Sequence, residues 1–285
     1  MPTFGQLLAA ARPRLAATLF GASPREALLL LGHVLELSEA QVLARTEAEV
    51  PREADRRFSA LLDRRLTGEP VAYLLGEKEF YGRTFQVDSR VLIPRPETEH
   101  LVEAALAAPL PPEPLLLDVG TGSGCLAVTL ALEIPGAHVV AADLSPAALA
   151  VTAKNARRLG VADRVHPVAL DLLAGLELSR FDLVVSNPPY VDFSEAPSLS
   201  PEVCNFEPHL ALFSPGRGEA VLARLIREAA RIRAGVRLAL EIGLGQLEAV
   251  TEAAAGAGFE VSGVRNDLAG IPRVVELRRP NRKDS

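Results

Sequence analysis

The tetrapeptide Asn187-Pro188-Pro189-Tyr190, which follows the apolar run Phe181-Asp182-Leu183-Val184-Val185, has the residue types to hold a planar nitrogen group. The side-chain oxygen of Asn187 and the main-chain carbonyl of Pro188 are two acceptors, and an amide or exocyclic amino group offers two N–H donors to match them. An amide nitrogen is a poor nucleophile because its lone pair is delocalised into the carbonyl. Holding both N–H groups turns that lone pair towards an electrophile, so positioning supplies most of the acceleration. Each proline fixes φ and lacks an N–H, which keeps the carbonyls rigid and short of local donors. Tyr190 adds a flat face for a planar group. Asn187, Pro188 and Tyr190 are the expected catalytic residues, with Pro189 completing the substrate-binding set.

A second constellation, Asp118-Val119-Gly120-Thr121-Gly122-Ser123-Gly124-Cys125, lies between an apolar strand and a helix. Glycines there let the backbone approach a ligand, and ligands of open parallel sheets bind beyond the carboxyl ends of the strands. Gly122 to Ala127 also fits the G-x-G-x-x-A pattern of dinucleotide sites, so an NAD enzyme is one reading. Two acids argue against it. A pyrophosphate gains nothing from Asp118, whereas the sulfonium and ammonium of S-adenosylmethionine favour a carboxylate. Asp171, near the end of the third strand, suits an adenine amino group, and Asp143 ends the second strand where it can accept from both ribose hydroxyls. The expected chemistry is methyl transfer from S-adenosylmethionine to an amide or amine nitrogen, which needs no strong general base.

Other reactive residue types carry less. The five histidines have no metal spacing, so no metal is expected. Cys125 opens a helix, where its thiol pKa could be lowered, but a packing role is expected. Gly122-Ser123-Gly124 belongs to the cofactor turn and is no nucleophile elbow. Glu99 is expected to complement its own helix dipole, and Glu97 is balanced between that role and the pocket mouth.

The elements that must position these residues are legible in outline. Residues 1 to about 72 read as helical: Ser23-Pro24-Arg25-Glu26 resembles a capping box, and a further helix is expected from Arg52 to Leu66. Residues 79–93 change rhythm and favour a β-hairpin. Strands follow at 114–119, 138–143, 165–169, 181–186 and 236–242, with helices between, which indicates a parallel doubly wound sheet. The last segment reads as two strands, 259–264 and 273–277, around a turn. The expected domains are a helical-bundle domain at 1–75, a β-hairpin linker at 76–93 and an α/β domain at 94–285.

Composition narrows the partners. A net charge of -6 argues against a protein that grips nucleic acid chiefly through phosphates. Two cysteines in 285 residues form no disulfide framework, and Met1 to Phe20 is neither signal peptide nor membrane span, so a cytoplasmic location is expected.

The tetrapeptide, the turn at Asp118 to Gly124 and Ile93-Pro94-Arg95-Pro96-Glu97-Thr98-Glu99 together resemble the HemK family of protein glutamine methyltransferases. Further matches are Glu207-Pro208 with Ala211-Leu212, Glu241-Ile242-Gly243 and Asp267 to Arg273, so the likeness runs nearly the whole chain; Ser214-Pro215-Gly216 departs from the family's glycines. The resemblance implies a Rossmann-like class I methyltransferase fold with a C-terminal antiparallel hairpin. It further implies that Asp118, Gly120, Thr121, Gly122, Ser123, Gly124, Asp143, Leu144 and Asn187 hold the cofactor, with Asp171 and Leu172 beside the adenine. Asn187 to Tyr190 then hold the target glutamine, Phe80 and Glu97 shape the pocket mouth, and class 1 peptide chain release factors are the protein substrate. A ribosomal-protein glutamine methyltransferase, an adenine-N6 DNA methyltransferase and a catalytically silent binding module are the competing readings. The DNA enzyme would call for a separate basic domain to grip a duplex and accept a flipped base.

Overall fold

The computed structural model describes residues 1–107 and 109–280. The chain forms two compact units: Met1–Glu77 with Ser198–Phe206, and Lys78–Pro197 with the described part of Glu207–Ser285. The first unit contains helices α1 (Phe4–Ala16), α2 (Glu26–Leu35), α3 (Glu39–Leu43), α4 (Arg52–Leu66) and α5 (Val71–Leu75). Leu8, Leu15, Leu30, Leu31, Phe58 and Leu62 recur at helical spacing and form its core. Capping boxes start two helices, Thr3 with Gln6 and Ser38 with Gln41. The expected box at Ser23 is only half formed. Pro24 and Arg25 lie in a turn closed by the Glu26 N–H donating to the Ser23 carbonyl, so α2 begins at Glu26. Glu26 does reach back to the Ser23 N–H (3.1 Å), but the Ser23 hydroxyl accepts from Arg25 instead of the third helical residue.

Arg65 of α4 is 1 % exposed. Its guanidinium bonds Glu26 (2.6 Å), the Glu202 carboxylate and the Glu69 carbonyl, and lies over the Phe20 ring. Glu202 belongs to the 198–206 segment, so this ion cluster ties that segment to the helices. Arg65→Ala strands two partly buried carboxylates and opens a cavity, and should cost about 3 kcal/mol. A two-state denaturation curve for this unit unmoved by the substitution would contradict that.

In the second unit a short hairpin, β1 (Glu77–Phe80) and β2 (Arg83–Gln86), leads to irregular chain. The hairpin ends earlier than residue 93: Val87, Val91 and Ile93 are buried, but they pack from a non-repetitive segment. The main elements then run α6 (Glu99–Leu106), β3 (Leu115–Val119), α7 (Cys125–Glu133), β4 (His138–Asp143), α8 (Pro146–Arg158), β5 (Val165–Ala169) and β6 (Leu183–Ser186). After α9 (Pro201–Phe206), which belongs to the helical unit, come α10 (His209–Leu212), α11 (Ala220–Ala229), β7 (Arg237–Glu241), α12 (Leu247–Gly256), β8 (Glu260–Asn266) and β9 (Pro272–Arg278).

The seven-stranded sheet has the order β5-β4-β3-β6-β7-β9-β8. Its first five strands are parallel, whereas β9 pairs antiparallel with both β7 and β8. The central strands are apolar because helices cover both faces. Leu116 and Leu183 belong to one core, Leu117 and Val184 to the other. The turns after β3, β4, β6 and β7 therefore gather at one edge of the sheet, beyond the strands' carboxyl ends.

Candidate active site

The turn after β3 is braced from inside. The Asp118 carboxylate accepts from the Thr121 hydroxyl (2.6 Å) and the Ala127 N–H (3.2 Å) through Oδ2, while the buried Oδ1 has no hydrogen-bond partner among the described residues. Burial pushes this carboxyl up to about 7, against those two donors, and the nearby Asp143 charge adds to the rise. Asp118 is thus enclosed behind the turn; it does not reach the cavity in front of it. Thr121, Ser123 and Gly124 also lie off the cavity wall, whereas Val119, Gly120 and Gly122 line it. Helix α8 holds the turn from the other side. The Thr152 hydroxyl donates to the Gly122 carbonyl (2.9 Å) and Asn155 Nδ2 to the Ser123 carbonyl (2.8 Å). Gly124 is needed for that closeness: its φ is +80°, and a Cβ would stand 2.8 Å from Thr152 Cγ2.

A cavity of about 280 Å³ opens beyond β3, β4 and β6. Asp143 lies in its wall with both oxygens fixed, Oδ2 accepting from the Gly122 N–H (2.9 Å) and Oδ1 from the Ser145 N–H (2.8 Å). Leu144, half exposed, and Leu172, whose φ is +51°, supply apolar wall. Asp171 also lines the cavity, but its carboxylate is taken by Arg224 of α11 in a two-pronged ion pair (3.0 and 2.9 Å). The expected acceptor for an adenine amino group is therefore part of an ion pair, each oxygen taking one N–H and keeping acceptor capacity, as at Asp143.

The tetrapeptide leaves β6 at the same edge. Asn187 and Pro189 line the cavity, and Pro188 is buried. Asn187 Nδ2 donates to the Thr98 hydroxyl (3.0 Å), which leaves Oδ1 as its open acceptor. The Tyr190 hydroxyl donates to Glu241 Oε1 (3.2 Å), and its carbonyl accepts from Gln246 Nε2 (3.0 Å). Burial pushes the phenol well above its ordinary value, and the Glu241 charge pushes it the same way. The other end of the Gln246 amide accepts from the Gly243 N–H (2.8 Å). Ser186, just before the tetrapeptide, donates its hydroxyl to the Val119 carbonyl (2.7 Å), so the two site-bearing strands are locked side by side.

Two expected pocket residues fall elsewhere. Phe80 is 1 % exposed and meets Phe85 edge-on at 6.1 Å within a core cluster, not at a mouth. Glu97 sits half-buried on a 3-10 turn (Pro96–Thr98), off the cavity wall, where its charge bears on Glu241. Glu99 accepts from the Tyr81 N–H (2.8 Å), which ties α6 to the hairpin in addition to any dipole effect. Cys125 is core, with its thiol pushed up to about 12 by burial, opposite to the lowering a helix start could bring. Among the described residues no three His, Cys, Asp or Glu side chains are grouped to hold a metal.

Thr98, Glu241, Gln246, Thr152 and Asn155 complete the site, and none has a local sequence signal beyond the Pro-Glu-Thr-Glu and Glu-Ile-Gly strings. Glu207 is a further one: its buried carboxylate accepts from the Ile93 N–H (3.1 Å) and from Arg95 (2.5 Å), pinning the segment that carries Thr98.

Comparison with known proteins identifies the family. Residues 6–76 match the PrmC N-terminal domain and residues 98–200 the methyltransferase small domain. A release factor glutamine methyltransferase of Cereibacter sphaeroides is 46% identical over 96% of this chain and 97% of its own. One from Neisseria gonorrhoeae is 45% identical over 87% and 91%. A crystal structure of a methyltransferase from Pyrococcus furiosus superposes with a TM-score of 0.53 at 16% identity, covering 78% of this chain and 100% of that one, which supports the Rossmann-like class I methyltransferase fold. Near-complete coverage of relatives at this identity leaves one assignment: the chain belongs to the release factor glutamine methyltransferase family.

Proposed function

We propose that this protein transfers a methyl group from S-adenosylmethionine to the side-chain amide nitrogen of the glutamine in the Gly-Gly-Gln tripeptide of class 1 peptide chain release factors. The observation that carries the reading is the orientation of Asn187. Its Nδ2 is committed to Thr98, so Oδ1 is offered as an acceptor beside a cavity that Gly120, Gly122 and Asp143 also line. The relatives' names supply the acceptor protein.

The cavity fits an adenosyl cofactor better than a pyrophosphate. Each Asp143 oxygen takes one main-chain N–H and retains acceptor capacity for ribose hydroxyls. The arginines in the wall, Arg90 and Arg224, are already paired with Asp88 and Asp171, so an anionic ligand would meet carboxylates and committed guanidiniums. When bound, S-adenosylmethionine supplies a cationic, activated methyl donor. The chain's own residues then have to orient the acceptor. Asn187 Oδ1 and the Pro188 carbonyl accept the two N–H groups of the glutamine amide, and rigid prolines keep those acceptors in place. Tyr190 stays neutral, donates to Glu241 and acts as a wall for the planar amide, not as a base. We assign recognition of the release factor body to the helical unit, which matches the PrmC N-terminal domain.

The reading is tested by incubating the protein with labelled S-adenosylmethionine and, separately, a class 1 release factor, a ribosomal protein fraction and unmethylated duplex DNA. Peptide mass spectrometry should place the label on the Gly-Gly-Gln glutamine; label on DNA or a ribosomal protein alone would refute the acceptor while keeping the chemistry. Asp143→Ala should weaken S-adenosylmethionine binding about 10- to 100-fold, the worth of one or two hydrogen bonds to a charged acceptor. An unchanged dissociation constant in calorimetry would remove Asp143 from the ribose.

A further inference from the structure

We propose that Arg224 of helix α11, with Glu228 and Arg231, sets the base selectivity of the cofactor cavity by holding the turn at 171–173 in the shape that reads an adenine edge. The proposal rests on the reading of the cavity as the S-adenosylmethionine site. Arg224 is a positioning residue in it, since its guanidinium acts through Asp171.

The turn follows β5 and is held from outside. Leu172 takes φ +51°, a left-handed conformation that is strained for a residue with a Cβ. Such residues persist only where the surrounding structure over-determines them. Here the surroundings are α11 and the chain just after it. Arg224 donates through its two Nη groups to the two Asp171 oxygens (3.0 and 2.9 Å), and through Nε to Glu228 one helical turn on (2.8 Å). The other Glu228 oxygen accepts from the Leu173 N–H (3.2 Å), and Arg231 donates to the Leu173 carbonyl (3.3 Å). The three side chains therefore grip the residues on both sides of Leu172. A lone ion pair at a surface is weak, but this one is two-pronged and belongs to a network, where geometry counts.

The clamped turn presents an acceptor beside a donor. Asp171 and Leu172 both line the cavity. Each Asp171 oxygen keeps acceptor capacity, and the Leu172 N–H has no acceptor among the described residues. Adenine shows the complementary pair, an amino donor at position 6 beside the N1 acceptor. A 6-oxo purine shows the reverse, a carbonyl oxygen beside a protonated N1, and would set acceptor against acceptor and donor against donor. Rejection of the wrong base needs the carboxylate to stay where it is. Asp171 is exposed, so without Arg224 its side chain is free to turn to water. That loosens the hold on adenine and removes the repulsion of the 6-oxo group together.

The test uses the full chain and calorimetry with S-adenosylhomocysteine and S-inosylhomocysteine, which differ only at position 6 and the adjoining N1 proton. Wild type should prefer the adenosyl ligand about 100-fold, the scale of one two-point contact to a base. Arg224→Ala should weaken the adenosyl ligand about 10-fold and leave the inosyl ligand within about threefold, so that the preference falls towards 10-fold. Arg224→Lys supplies a point charge without the fork and should leave the preference near that of the alanine variant. Asp171→Asn, whose amide can donate to the 6-oxo group, should bring the two affinities within about threefold of each other. A merely supporting role for Arg224 would lower both affinities by one factor and leave the preference untouched. That result, or a wild type that binds both ligands alike, overturns the proposal. Failure of the cofactor reading looks different: wild type then binds neither ligand, and the proposal falls with it.

Discussion

Asn187→Ala lowers turnover about 10³-fold and leaves S-adenosylmethionine affinity within about threefold of wild type. The magnitude follows from the work given to one side chain. Removing a single pre-aimed polar group from an active site costs on the order of 10²- to 10³-fold, and here the same group also fixes the direction of a delocalised lone pair. The small effect on the cofactor follows from geometry. Asp143 and the Gly120 to Gly122 backbone hold their places through Ser145, Thr152 and one another, none of which leans on the Asn187 side chain. Single-turnover methyl transfer to a release factor and calorimetry with the cofactor check the two halves. Turnover near wild type would end the orientation mechanism; a large loss of affinity with turnover at saturation retained would make Asn187 a cofactor residue only.

Gly218→Ala should cost 4 kcal/mol or more, on the order of the severest single substitutions, and abolish activity with it. Gly218 has φ +78°, and a Cβ there would stand 2.0 Å from the Tyr190 carbonyl oxygen, 2.7 Å from its carbon and 2.9 Å from Gln246 Nε2. Those neighbours cannot step aside. The carbonyl is part of the tetrapeptide backbone, and the Gln246 amide that holds it is itself buried. Gly216→Ala is the built-in control, since φ is +65° there but the nearest atom is the Ala220 Cβ at 3.8 Å. It should show only the penalty of a left-handed residue, about 1–2 kcal/mol. Thermal unfolding separates them, with Gly218→Ala melting roughly 10 °C below wild type. Equal melting temperatures for the two variants would mean that the loop at 218 does not brace the tetrapeptide.

What could be read from the chain and what could not divide along a physical line. Strands at 138–143 and 165–169 stand where the apolar runs place them, and the Ser145 cap accepts from Ala148 as its sequence suggests, because these signals are local. The tetrapeptide and the glycine turn are legible for the same reason: their chemistry is packed into a few adjacent residues. Thr98 escapes because its partner Asn187 is 89 residues away, and Glu241 because it is 51 residues from Tyr190. Asp171 looks free in sequence; only the fold brings Arg224 to it. Phe80 misleads in the opposite direction. The family resemblance puts it at the pocket mouth, yet a hairpin must bury its apolar side against something, and the core claims it.

The assignment of Ser198–Phe206 to the helical unit means that the chain passes between the two units three times, at 77/78, 197/198 and 206/207. A unit joined by one linker can be exchanged by a single crossover or gene fusion; the helical unit cannot. Cutting at residue 78 would leave Glu202 in a catalytic half without Arg65, nine residues of orphaned chain following closely on the tetrapeptide. Replacing the helical unit therefore takes two coordinated exchanges, so that the two units are inherited together.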